Sequence, residues 1–368
     1  NLPLLTKILR YAKELDEPVL LHVKTVKGKG FTPAEENPDS FHGVAPFDPA
    51  TGKAKREAGE NFSAVFGRTL TRLAGQDRRV CAVTAAMTGG TGLERFAQAF
   101  PDRFFDVGIA EGAAVSMAAG MAKQGALPVF AVYSTFLQRS YDMLLHDVAI
   151  DNLHVVLGVD RAGLVGDDGE THHGLFDVAY LDTVPNMTVL APASFAELEV
   201  MLNRALFHLN GPVAVRYPRG GEGAYLGSGG EEPAVILRRG SDITLVSYGT
   251  EINNVLEAAR LLEAQGVQAE VVKINQLTPL DSELVERSVS KTGVLLAAEE
   301  QCAQGCIGQR LAARLELSGI LGKTVLVNCG KGFVPHGAAS LLKRDLSLDG
   351  MGICKKALEV LGRGQTEA

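Results

Sequence analysis

Short, continuously apolar runs alternate with runs of helical period along most of this chain. VCAVTAAM (80–87), LPVFAVY (127–133) and LHVVLGVD (153–160) have no polar face, so each predicts a strand buried on both sides. FFDVGIA (104–110) and the run GPVAVRYPRG (211–220) read as further strands. Between them FSAVFGRTLTRLA (62–74), LERFAQAF (93–100), EGAAVSMAAGMAKQG (111–125) and TFLQRSYDMLLHDVAI (135–150) carry the period of a helix. Strands of this kind, separated by helices, are satisfied by a parallel sheet covered on both faces. A glycine-rich break, GGEGAYLGSGGEEP (220–233), leads into a second series: SDITLVSYG, VLEAARLLEAQG, VQAEVVKIN, VLLAAEE and KTVLVNCG. The expected fold class is therefore α/β, with two parallel-sheet α/β domains at 58–226 and 234–368. Ahead of them, 1–27 reads as a helix followed by an apolar strand, PVLLHVKTV, and 28–58 as a long loop and linker.

A length of 368 residues accommodates two cores and a further segment. A formal net charge of −7, with acids and bases interspersed, argues against a nucleic-acid surface. No apolar run approaches the roughly 20 residues that span a bilayer, so no membrane segment is expected. NLPLLTKILR at the start is an amphipathic helix pattern rather than a signal peptide, and without a Met it is not expected to be a native start. The five cysteines are odd in number and scattered, which favours a reducing, cytoplasmic setting over a disulfide framework. Cys302 and Cys306 share one helical face, but no second pair lies near them to complete four metal ligands, so they read as small buried residues.

Ligands of open parallel sheets bind beyond the carboxyl ends of the strands, and the chemically able residues collect there. FFDVGIA runs into Glu111, LPVFAVY ends in Tyr133 with Phe136 and Arg139 following, and LHVVLGVD ends at Arg161. Arg161 opens a loop with glycines at 163, 166, 169 and 174 that carries Asp168, His172 and His173; the last strand ends at Arg219. Taken singly, Glu111 is a first-turn helix acid, the histidines are solvated loop residues and the arginines are surface charges. Together they suit acid–base work by Glu111, His172 and Asp168 on a small phosphorylated metabolite, because the guanidinium fork matches phosphate oxygens. An apolar strand before Glu111 and a small-residue helix after it predict a dry niche that favours the neutral carboxyl.

FFDVGIAEG, VYSTFLQRSYDMLLHDVAI, VDRAGLVGDDGETHHGLFDVAYL and AVRYPRG resemble, in order, the pyrimidine-binding domain of the 1-deoxy-D-xylulose-5-phosphate synthase family. KTVKGKGFTPAEENPDSFHG resembles the close of that family's preceding diphosphate-binding domain, making 1–57 its C-terminal remnant, and 234–368 resembles the transketolase C-terminal-type domain. The resemblance implies a transferase that uses thiamine diphosphate to decarboxylate pyruvate and pass the two-carbon unit to D-glyceraldehyde 3-phosphate. That is the first step of the methylerythritol phosphate isoprenoid route, and it also feeds thiamine and pyridoxal synthesis.

On that resemblance Glu111 meets the pyrimidine ring nitrogen of the cofactor, Phe136 stacks on the ring, and Ile109 and Lys27 are further cofactor contacts. Tyr133, Arg139, Arg161 and Arg219 hold substrate, while Asp168, His172 and His42 handle protons and intermediates. Where the family commonly has Gln after the glutamate, this chain has Gly112. The family's diphosphate and magnesium motif, Gly-Asp-Gly followed later by Asn, is not present in the chain. Mg2+ ligands are therefore expected in an N-terminal diphosphate-binding segment from the same or another polypeptide, with none here, and a homodimer is expected. Rival readings are the beta subunit of a 2-oxoacid dehydrogenase, a split transketolase, and a non-catalytic scaffold of the same fold.

Overall fold

A computed structural model describes residues 1–363 apart from 39–40, 42–43, 45, 56–58 and 167. The chain divides into two compact units, Asn1–Gly59 and the part from Glu60 onward.

In the first unit a helix spans Leu2–Glu14, begun by the Asn1 side chain, which accepts the Leu4 N–H at 3.1 Å. A short helix follows at Thr32–Glu36, and the rings of Phe31, Phe41 and Phe47 pack with centroids 5.3–5.7 Å apart. The strand expected over PVLLHVKTV is not formed; residues 18–26 are irregular, and Leu20 is 96% exposed. Apolar, β-branched composition favours a strand only when another strand completes its hydrogen-bond ladder, and within this unit the described residues offer none.

Among its described residues the second unit holds twelve strands: β1 (Val80–Thr84), β2 (Phe104–Asp106), β3 (Leu127–Tyr133), β4 (Val156–Asp160), β5 (Thr188–Leu190), β6 (Val213–Arg216), β7 (Ala234–Arg238), β8 (Ile243–Tyr248), β9 (Ala269–Ile274), β10 (Gln276–Thr278), β11 (Val294–Ala298) and β12 (Lys323–Val327). They form a seven-stranded sheet in the order β10-β5-β6-β4-β3-β1-β2 and a five-stranded sheet in the order β12-β11-β8-β9-β7. Every pairing is parallel except at two edges, β10 on β5 and β7 on β9. Each sheet is thus a parallel α/β sheet with one antiparallel edge strand. The edge strand β10 of the first sheet comes from beyond the glycine-rich break, so the two halves are stitched together.

Alternate residues of each strand enter different cores. In the first sheet Ala82, Val129 and Val156 pack with Phe62, Phe66, Leu70 and Leu202 of the helices Phe62–Gln76 and Phe195–Phe207. Their neighbours Val83, Phe130 and Leu157 face the opposite way and share a core with Ala114, Ala118, Leu137 and Leu144. That second core continues through Ile274, Leu277 and Leu295 into the other sheet. A third core joins Leu245, Val271 and Leu296 to the helices Ile252–Glu263 and Gly350–Val360. Burial of this order contributes about 1.5–3 kcal/mol for each large aliphatic side chain.

Two elements are shorter or more broken than expected. FFDVGIA is a strand only over Phe104–Asp106, because the Asp106 carboxylate accepts the Gly108 N–H at 3.0 Å and turns the chain. The run 134–150 is a chain of short α, 3₁₀ and π turns rather than one α-helix. Among the described residues no helix is long and apolar enough to cross a membrane.

Candidate active site

In the first sheet the chain leaves β1 towards one edge and proceeds from β3 towards the other, which makes the carboxyl ends of β1 and β3 the switch point of the sheet. Turns beyond β1, β2, β3, β4 and β6 supply the site. Asp106, at the end of β2, accepts N–H bonds from Ala86 (2.8 Å) and Gly108 (3.0 Å) and a hydroxyl from Thr88 (3.0 Å). It binds the β1 and β2 turns together and fixes the approach to Glu111, the first residue of the helix Glu111–Lys123. Sequence reasoning passed over Asp106, although an Asp two residues before a Gly is a turn signal.

Glu111 is buried, at 5% exposure. Its niche is not the purely apolar one expected: Arg139 donates to Oε1 at 3.1 Å. The reason lies in the broken run 134–150, whose 3₁₀ turn Gln138–Ser140 brings Arg139 back over the helix start. Among the described residues no hydrogen bond reaches Oε2. Gly112 has a packing counterpart, since a Cβ there would lie 2.9 Å from the Met143 methyl. Met143 fills space that a longer side chain after Glu111 would need.

From Arg139 a continuous wall of side chains runs along the rim. The Arg139 guanidinium lies 5.1 Å from the Phe136 ring centroid, Phe136 stacks on Tyr133 at 5.8 Å and 17°, and Phe136 meets His172 edge-on at 5.4 Å. Arg161 in turn lies 4.1 Å over the Tyr133 ring. Burial pushes the Tyr133 hydroxyl above its ordinary pKa; Arg161 and Arg219 oppose the shift, and Asp160 and Asp168 add to it. Asp168 and Arg219 therefore lie within electrostatic reach of the same wall.

The arginines are not free forks. Arg161, left-handed at φ 58°, donates through one nitrogen to Asp160 (2.9 Å), Ser63 (3.1 Å) and the Gly90 carbonyl (2.5 Å). Among the described residues its buried Nε has no partner. Arg219 holds Asp168 at 2.7 Å, with both side chains partly exposed. Of the Arg161 guanidinium, Nη2 is the nitrogen left for the phosphate contact expected of it, and the Arg219 fork is partly taken by a carboxylate.

His172, half-buried, exchanges a 2.9 Å hydrogen bond with the Thr171 hydroxyl. His173 is buried: its Nδ1 accepts the Val165 N–H at 3.1 Å and its Nε2 lies 3.3 Å from the Pro335 carbonyl, so it holds the loop rather than facing the rim. Ile109 is 86% exposed in the turn before Glu111. Lys27 belongs to the first unit, and His42 lies outside the described residues.

All five cysteines are buried and unbridged. Burial pushes the Cys306 thiol up to about 12, the opposite of what a metal ligand needs. Among the described residues no group of three or more His, Cys, Asp or Glu is arranged to hold a metal ion.

Residues 59–221 match the family profile of the transketolase pyrimidine binding domain, and residues 232–353 match that of the transketolase C-terminal domain. The chain belongs to the transketolase-like family. Within that family it is similar to 1-deoxy-D-xylulose-5-phosphate synthases. That of Heliobacterium modesticaldum is 45% identical over all of this chain and 58% of its own length. For Chlorobaculum tepidum the figures are 46%, 98% and 58%. The chain therefore spans a little over half the length of the curated relatives it matches. Among solved structures, a split-gene transketolase, an inactive β4 tetramer, is 28% identical with a TM-score of 0.75; the match covers 83% of this chain and all of that one. A transketolase of Pichia stipitis, at 18% identity and a TM-score of 0.68, shares the fold.

Proposed function

We propose that this chain is the pyrimidine-binding and C-terminal portion of a 1-deoxy-D-xylulose-5-phosphate synthase, a cytoplasmic homodimer joining pyruvate to D-glyceraldehyde 3-phosphate. The observation that carries the reading is the Glu111–Arg139–Phe136–Tyr133–Arg161 wall, built at the sheet's switch point. Its support is the 45% identity to synthases of that name.

The residues fit the aminopyrimidine of thiamine diphosphate. A half-buried Phe136 offers a stacking face, and the buried Glu111 has one carboxylate oxygen taken and the other available to a ring nitrogen. When bound, that cofactor supplies the electron sink that decarboxylation needs. Glu111 holds or yields a proton at its carboxylate, and Arg139 fixes the orientation of that group. His172, braced by Phe136 and Thr171, moves protons at the substrate. Arg219 and the Nη2 of Arg161 hold the phosphate of the acceptor, while Asp168 orients Arg219. Ile109, in the turn before Glu111, is a further contact on the cofactor side of this unit. Magnesium and the diphosphate are held by a further segment, from the same or another polypeptide.

A second reading, a subunit of a split transketolase, draws on the split-gene neighbour that this pair of domains covers completely. One assay separates the two. The chain is combined with a diphosphate-binding segment of a synthase, thiamine diphosphate and Mg2+, then given pyruvate and glyceraldehyde 3-phosphate. Release of carbon dioxide with formation of deoxyxylulose phosphate supports the synthase. Turnover of a ketose phosphate donor in place of pyruvate points to the transketolase.

A further inference from the structure

The loop 161–174 carries Asp168 and His172; Arg219 and Thr135 of its own half hold it at Asp168 and Thr171, and further anchors come from the other half of the second unit. Glu300, two residues beyond β11, accepts the Leu164 N–H on Oε2 at 2.8 Å. Its Oε1 accepts from Lys343 at 2.6 Å, and Lys343 also donates to Glu251 at 2.8 Å. At the far end of the loop the Cys302 N–H donates to the Leu175 carbonyl at 2.8 Å, and the Gln301 amide donates to Asp177 at 2.6 Å. Gly163, at φ +81°, leaves room for this approach; a Cβ there would stand 2.7 Å from Glu300 Oε2.

A buried carboxylate needs partners for its charge, and one ammonium shared with a second acid leaves it short. Here the missing partner is a main-chain N–H of the loop itself. Backbone polar groups of a buried loop must be satisfied, and the Leu164 amide has no other acceptor in the described structure. The two needs meet in a single bond across the halves of the unit.

We propose that Glu300 is a positioning residue, which holds the Asp168- and His172-bearing loop in register through the Leu164 N–H. The proposal rests on the reading of that loop as substrate-facing. Glu300 touches no substrate; it acts through Leu164 and the turn that follows.

Site-resolved amide hydrogen exchange on this chain tests it, comparing the wild type with Glu300→Leu, which removes the acceptor. A charge-assisted bond lost from a buried amide raises exchange by about tenfold to a hundredfold. The expected result is acceleration of that size at Leu164, Val165 and Gly169, with Leu245 and Val246 of β8 unchanged. Equal acceleration in loop and β8, or none in either, overturns the proposal. Should the variant not fold, the wild type decides: Leu164 exchanging as slowly as Leu245 sustains it, and exchange as fast as an exposed loop amide overturns it. A wild type silent in the reconstituted assay strikes the functional reading alone and leaves the exchange result standing.

Discussion

Arg139 donates to Glu111 at 3.1 Å while its guanidinium lies 5.1 Å from the centroid of the Phe136 ring. One side chain thus fixes both the acid and the stacking surface that the proposed cofactor pyrimidine would use. Arg139 is itself 56% exposed, so the Coulomb energy of the pair is screened and its main effect is orientation.

Replacing Glu111 by Gln in the reconstituted enzyme removes the proton-transfer group while keeping the shape of the side chain. The rate of product formation is expected to fall about 10²-fold or more. An undiminished rate would favour a scaffold that does no chemistry.

Arg219→Ala separates phosphate recognition from the reaction itself. Loss of a charge-assisted bond to the acceptor's phosphate corresponds to about tenfold or more in KM for glyceraldehyde 3-phosphate. With unphosphorylated glyceraldehyde as acceptor, wild type and variant should perform alike in steady-state assays.

Lys273 of β9 and Glu197 of the helix Phe195–Phe207 form a buried pair at 2.9 Å that binds the two halves of the second unit, with Tyr225 donating to the same carboxylate at 2.8 Å. Lys273→Met leaves Glu197 buried without its cation, which costs about 3–5 kcal/mol. Guanidinium unfolding should register that loss, and adding Glu197→Gln should recover part of it.

Burial pushes Glu251 up to about 8, with Lys343 opposing the shift and the charge of Glu300 adding to it. A carboxyl whose folded pKa is raised favours the folded state fully below its unfolded value, the ordinary carboxylate range, and that contribution is lost as pH climbs towards 8. The melting temperature of the wild type should therefore decline between about pH 5 and pH 8. Glu251→Gln, which cannot ionise, should show a flatter profile over the same interval; parallel profiles would refute this.

The fold class was legible in the sequence because a strand covered on both faces is predominantly apolar, as β1, β3, β4 and β8 are. The rim residues were legible for a related reason: they lie in the turns beyond the carboxyl ends of β2, β3 and β4, and Glu111, Tyr133, Phe136, Arg139, Arg161 and His172 lie in one wall. PVLLHVKTV misled because local composition cannot show whether a pairing strand exists.

What the sequence alone determined was the order of strands and helices and the end of the sheet at which chemically able side chains would gather. Only the tertiary structure decided their partners. Arg139 reaches Glu111 across 28 residues, and Glu300 holds Leu164 across 136. Periodicity reports which face of an element is buried, whereas a hydrogen bond depends on positions a few ångströms apart in space, which residues distant in the chain acquire only when the sheets pack.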